Sequence, residues 1–159
     1  MENRASNGGS LRREQLLALD IATRTGYYCL HGSGVWDFHA TRSRRTYLSF
    51  YTMLREFVLH HGIRRIVAED VSFNAHNRDL RKLSELRGIM LLVSEELELL
   101  PVEFVNVSTL KKWATGDGRA DKSRMIAACR NDYRFEPASH DEADAFLLFH
   151  YFVRKYRVR

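Results

Sequence analysis

Four acidic residues stand where an apolar chain gains nothing from charge. Asp20 ends the run Leu16-Leu17-Ala18-Leu19, and Glu69 ends Ile66-Val67-Ala68. Asp141 and Asp144 open a segment that continues Ala145-Phe146-Leu147-Leu148-Phe149. A carboxylate at a buried edge costs free energy unless a cation or a donor compensates it. Oxygen-only clusters of this kind suit Mg²⁺ or Mn²⁺. Two such ions can drive the in-line attack of water on a phosphodiester. These residue types therefore point to a metal-dependent nuclease.

Each acid also has a blander explanation. Asp141 and Asp144 are three apart and share one helix face. Ser139 to Glu142 matches the Ser-x-x-Glu capping box, and an aspartate in a first helical turn favours the helix dipole. Capping accounts for Glu142 and adequately for Asp141. It leaves Asp144, which faces inward by periodicity. His140 either assists at the site or is a surface donor at a helix start. Asp70 points away from Glu69 if both lie on one strand, and is set aside as a ligand. The segment Leu110 to Lys122 holds Gly116-Asp117-Gly118 between Lys111, Lys112 and Lys122, with Arg119 beside the glycines. Glycine lets backbone approach a phosphate and lysine supplies point charge, although such loops are also common without that role.

The elements that must carry these residues follow from periodicity. Residues 16–21 read as a buried strand, turned at Thr25-Gly26 into a second over 27–30, with a third around 35–40 completing an antiparallel meander. Tyr47, Phe50, Tyr51, Leu54, Phe57 and Val58 recur at helical spacing, and Gly62 is a stop. Residues 63–69 alternate so little that a strand buried on both faces is expected. Asp20 and Glu69 then end strands that can lie side by side. A long helix over 80–99 is punctuated by Pro101. A strand over 102–107 and helices over 122–131 and 139–156 complete a mixed α/β sheet flanked by helices. Along the long helix, Leu83, Leu86, Met90, Val93, Leu97 and Leu100 form a seam, widened by Ile89, Leu91 and Leu92. This surface either covers a second helix of the same chain or forms a homodimer interface.

The 159 residues fit one domain over 11–159, with a polar, frayed tail over 1–10. A hydrophobic content of 45% supports a core, and no apolar run is long enough to span a membrane. Cys29 and Cys129 have no metal-ligand spacing and fit reduced thiols in an intracellular, unsecreted protein of cytoplasmic, viral or organellar setting. The net charge of +5 is clustered around 42–45, 64–65, 78–82, 111–112, 119–124 and the C-terminus, while 95–103 is acidic. Basic patches suit a polyanion such as nucleic acid, or are merely solvated.

The ordered set of Leu-Ala-Leu-Asp20 with Thr25-Gly26-Tyr27, Ile-Val-Ala-Glu69, Lys111 and Lys122 around Gly116-Asp117-Gly118, and Asp141-Glu142-Ala143-Asp144-Ala145 resembles the RuvC family of Holliday junction resolvases, within the ribonuclease H-like superfamily. The resemblance runs from residue 16 to about 155. It implies a ribonuclease H-like mixed sheet, with an antiparallel three-strand meander plus parallel strands. It implies that Asp20, Glu69, Asp141 and Asp144 hold two Mg²⁺ ions, which Mn²⁺ can replace. Lys111 and Lys122 would contact the scissile or neighbouring phosphates, Lys122 taking part in catalysis, with Lys112, Arg119, Arg78 and Arg81 on the DNA. The partner implied is a four-way DNA junction, nicked in pairs by a homodimer whose interface includes the helix 80–99. Phe73 would be an aromatic wedge between bases, against the alternative of a core or surface aromatic. Two departures stand out. The family often carries Pro-Gly where this chain has Ile21-Ala22, and Phe73 comes one residue late. Rival readings are a nuclease of the same fold for flapped or forked DNA or for RNA, and a non-catalytic junction binder. A kinase-like ATPase is set aside because its fold needs two such domains.

Overall fold

The computed structural model describes residues 10–39, 45–70 and 77–159, and for 77–79 the backbone alone. A short 3-10 turn at Arg13–Gln15 leads into β1 (Leu16–Asp20), β2 (Arg24–Cys29) and β3 (Gly32–Asp37). Helix α1 (Thr46–His61), β4 (Arg65–Glu69), α2 (Asn77–Glu96) and β5 (Leu100–Val105) follow. The chain ends with α3 (Val107–Thr115), α4 (Lys122–Tyr133) and α5 (His140–Tyr156). The sheet order is β3-β2-β1-β4-β5. β1 pairs antiparallel with β2, and β2 with β3, while β4 runs parallel to both β1 and β5. The expected meander plus parallel strands is what forms.

Alternation along the two central strands divides the core. Leu16 and Ala18 of β1 and Val67 of β4 pack with Leu110, Met125, Phe146, Phe149 and Phe152 from α3, α4 and α5. Leu17, Leu19, Ile66 and Ala68 point the other way, onto Phe50, Leu54 and Val58 of α1 and Leu86, Met90 and Val93 of α2. Both faces are therefore covered, which is why these strands read as unbroken apolar runs. The same alternation aims Asp20 and Glu69 at the α5 side and Asp70 at the α2 side. Asp70 there meets Arg87 of α2, with Nη1 2.6 Å from its carboxylate, while that guanidinium lies 3.7 Å from the Phe104 ring centroid.

Several boundaries differ from the sequence reading. Thr25 and Gly26 lie inside β2, not in a turn; residues 21–23 make the turn. Thr25 is fully buried and its hydroxyl donates to Ala22 O at 2.6 Å, which closes that turn. β3 ends at Asp37 rather than near residue 40. α2 stops at Glu96, and Glu98 in the left-handed region (φ 50°) makes the exit. Pro101 sits in edge strand β5, where a missing N–H is tolerated. Val107 opens a helix rather than closing a strand, because Asn106 accepts hydrogen bonds from the Ser108 and Thr109 amides as N-cap. Gly62 does terminate α1 in the left-handed conformation.

The long-helix seam belongs to the core: Leu86, Met90 and Val93 are fully buried against α1 and the sheet. Leu92 on α2 and Leu48, Met53 and Leu59 on α1 remain as exposed apolar side chains. Of the two readings of that seam, coverage of a second helix in the same chain describes Leu86, Met90 and Val93. Among the described residues no helix is long and apolar enough to cross a membrane. The expected tail over 1–10 lies, apart from Ser10, outside the described residues.

Candidate active site

Three elements deliver the carboxylates. Leu19 pairs with Ala68 in the β1–β4 register, so Asp20 and Glu69 are adjacent at the carboxyl end of neighbouring parallel strands. Ser139 caps α5, its hydroxyl accepting from the Glu142 amide at 3.2 Å. Glu142 Oε2 reaches the Ala138 amide (2.6 Å), one residue before the partner a capping box would use, and Oε1 accepts from Ser33 Oγ of β3 (2.6 Å). Glu142 is thus a structural anchor that ties the first turn of α5 to the sheet. That anchoring carries Asp141 and Asp144 to the end where Asp20 and Glu69 emerge.

A glycine makes the approach close enough. A Cβ on Gly26 would lie 2.0 Å from the Asp141 carbonyl oxygen and 2.4 Å from its carbon. Gly26 is also the register partner of Asp20. Only a residue with no side chain lets the first turn of α5 lie on β2 beside the first carboxylate. Of the Thr25-Gly26 pair, Gly26 owes its identity to this packing rather than to a turn, while Thr25 closes the turn before it.

The electrostatics of the cluster mark it as unpaid for by the fold alone. Burial raises the Asp20 carboxyl well above the usual carboxylate range, and Glu69, Asp144 and Asp141 add to this while Lys122 opposes it. Burial, with Asp144 nearby, pushes Glu69 up to about 8, against the pull of Lys111. Burial likewise raises Asp144 to about 6, with Lys111 and Lys122 lowering it and Asp141 raising it. Two lysines anticipated from the sequence therefore do stand by the acids, one from α3 and one from the first residue of α4. Asp141 is 8% exposed. Its Oδ1 lies 3.0 Å from His140 Nε2, which in turn is 2.9 Å from Lys122 Nζ. His140 therefore lies in contact with both Asp141 and Lys122.

The other sequence candidates distribute differently. Lys112 and Arg119 are exposed. Arg81 is exposed on α2 and pairs with Glu85 at 3.2 Å. The side chain of Arg78 and the whole of Phe73 lie outside the described residues. The Gly116-Asp117-Gly118 loop is built to hold itself together: Asp117 accepts from the Arg119 amide (2.9 Å) and pairs with Arg124 (2.6 Å). Gly116 (φ 81°) caps α3, and a Cβ on Gly118 would press on the Ser108 carbonyl at 3.1 Å. Asp121 caps α4 through the Arg124 amide. These glycines serve the α3–α4 connection, and the loop's contribution to the site is the placement of Lys111 and Lys122. Two groups escaped the sequence reading. Arg24 pairs with Asp141 Oδ2 at 3.6 Å, and Asp37 pairs with Arg24 at 3.5 Å. A cation four residues after the first carboxylate was the available signal.

The donor set is all oxygen, desolvated and mutually repelling, which fits a hard divalent cation. As the side chains stand, among the described residues no three of His, Cys, Asp or Glu form a group that could enclose an ion. Unneutralised carboxylates repel one another, and Asp141 is engaged by Arg24 and His140.

No family model matches the chain, and no curated protein matches it by sequence. Solved structures do. Thermus thermophilus RuvC superposes with a TM-score of 0.70 at 16% identity, covering 90% of this chain and 96% of that one. T. thermophilus RuvC in complex with Holliday junction substrate gives 0.73 at 17% identity, covering 89% and 95%. The yeast mitochondrial Holliday junction resolvase Ydc2 gives 0.63 at 9% identity, covering 95% and 85%. With a five-strand mixed sheet flanked by helices, the chain has the ribonuclease H-like fold of the RuvC-type resolvases that its motifs resemble.

Proposed function

We propose that the chain is a metal-dependent, structure-specific endodeoxyribonuclease that resolves four-way DNA junctions by paired nicks. The observation that carries this reading is the convergence of Asp20, Glu69, Asp141 and Asp144 at one sheet end, beside Lys111 and Lys122. When bound, two Mg²⁺ ions, or Mn²⁺, supply the Lewis acidity that activates a water and steadies the leaving 3′ oxygen. The four carboxylates would hold them. Lys111 and Lys122 neutralise charge accumulating on the phosphate, and His140 Nε2 keeps Lys122 and Asp141 in a fixed relation. Lys112, Arg119 and Arg81 are exposed and would contact the DNA backbone, and the Arg78 side chain and Phe73, outside the described residues, are proposed to contact the DNA as well.

A homodimer would give two such sites for opposed strands. The surface left for it on α2 is the side that carries Leu92, together with the exposed apolar residues of α1. The protein would act inside a cell or organelle, where junction DNA is found. A pure junction binder gains nothing from placing carboxylates beneath a phosphate, which disfavours that rival.

Cleavage of an immobile junction, set beside flap, fork, duplex and RNA–DNA hybrid with Mg²⁺, Mn²⁺ or chelator, tests the proposal. Symmetric paired nicks on the junction are expected. Preferential cutting of flaps or hybrids would transfer the activity to another substrate, and binding without cutting under either metal would refute a nuclease.

A further inference from the structure

Lysines relieve Asp20, Glu69 and Asp144, whereas an arginine touches Asp141. Arg24 stands at the start of β2 and is the cross-strand partner of Asp37 on β3. Its Nη1 lies 3.5 Å from Asp37 Oδ2 and its Nε lies 3.6 Å from Asp141 Oδ2. Asp37 is itself fixed, because Oδ1 accepts from the His39 amide at 2.9 Å, with His39 Nδ1 3.2 Å away. One planar guanidinium thus links a carboxylate on the sheet edge to one on the first turn of α5. As a contribution to stability such half-exposed pairs are worth little. As a support they restrict Asp141 at one oxygen, leaving Oδ1 turned to His140, whose Nε2 also meets Lys122 Nζ.

We infer that Arg24, held by Asp37, is a positioning residue that orients the Asp141 carboxylate for the divalent cation. The inference rests on the nuclease reading of the four carboxylates. The physical requirement is general: a ligating carboxylate is itself held by a partner outside the metal shell, and loss of that partner typically weakens metal binding by about 10–100-fold. Both contacts are ion pairs, at 3.5 and 3.6 Å, and a planar guanidinium can face two acids from separate nitrogens while a lysine is a point charge. Charge by itself predicts the opposite sign, since an arginine beside a cation site repels the cation.

The test is Mn²⁺ binding to the full chain without DNA, followed by the electron paramagnetic resonance of free Mn²⁺, with folding checked by thermal melting in chelator. Arg24→Gln and Arg24→Lys are both expected to weaken binding about ten-fold. Asp37→Asn, which removes the support without touching Asp141, should weaken it less and add nothing on top of Arg24→Gln. Binding by Arg24→Lys equal to the unsubstituted protein would show that charge suffices and overturn the proposal. Equal or tighter binding by Arg24→Gln would overturn it too, making Arg24 a mere competing cation. Asp144→Asn separates the levels. If Asp144→Asn loses Mn²⁺ while both Arg24 variants keep it, only the positioning role falls. If the unsubstituted protein binds no Mn²⁺, the metal-site reading falls with it.

Discussion

Two groups of carboxylates, one on each side of the sheet, are held in opposite ways. On the α1–α2 side, Glu96 accepts from Tyr51 (2.7 Å) and Arg55 (2.9 Å), and Glu85 accepts from Tyr47 and Arg81. Those hydrogen bonds hold both acids below the usual glutamate range. On the α5 side, burial and like charge push Asp20, Glu69 and Asp144 upward. The first arrangement closes the outer surface of two packed helices. The second works against folding unless something outside the chain compensates it. A protein retains such a cluster when chemistry requires it, and active sites are where stability is given up.

The largest effect expected is on cleavage. Asp20→Asn or Glu69→Gln should reduce junction cutting at least about a thousand-fold, since metal-borne charge stabilisation is worth several kcal/mol. Junction binding, measured by gel shift, should persist. Retained cutting in both variants would sink the assignment.

Gly26→Ala tests the junction of the two regions. A methyl group 2.0 Å from the Asp141 carbonyl must displace the first turn of α5. Overpacking of this kind costs about 1–3 kcal/mol, so urea denaturation should show a lower midpoint together with lost cleavage. A variant as stable and active as the parent would mean that α5 can shift freely and that its placement does not set the site.

The faces should also differ in pH and metal response. An acid whose pKa is raised on folding holds its proton in the folded state after the unfolded chain has released it, so stability falls as pH rises through that window. For Asp144 the window runs from about 4 to about 6, and for Glu69 on to about 8. In chelator at pH 7, Asp144→Asn should therefore stabilise the protein, by roughly 1–3 kcal/mol. Saturating Mg²⁺ should raise the melting temperature of the parent and erase that advantage, since a ligand bound only by the folded state stabilises it. No gain in chelator would indicate that the four acids are already compensated.

The smallest effect is expected on the opposite face. Glu96→Gln leaves an exposed clasp between α1 and α2 partly made, so thermal melting should barely move and cleavage should not change. A large loss of activity there would break the division between the faces and make the Glu96 clasp itself part of the dimer surface proposed on α1 and α2.

The sequence by itself determined the strands that end in Asp20 and Glu69 and the inward direction of Asp144, and it allowed those strands to be neighbours without fixing their pairing. Those follow from period-2 and period-3.6 burial, which a linear pattern records directly. It also separated Asp70 from Glu69 correctly, by parity alone. Only the tertiary structure decided that Gly26 is a packing contact within β2, that Val107 starts a helix, and that the Gly116-Asp117-Gly118 loop is hydrogen-bonded largely within itself. It also decided, between the two readings of the Leu86-Met90-Val93 stripe, for coverage by a second helix of the same chain. An exposed-looking apolar stripe has no partner written beside it, and a glycine does not record which backbone crosses it. Arg24 was legible as a cation four residues after Asp20, but its link to Asp37 and Asp141 was not, for the same reason: three strand and helix ends meet there from separate stretches of the chain, and the distances between such residues exist only once the chain has folded.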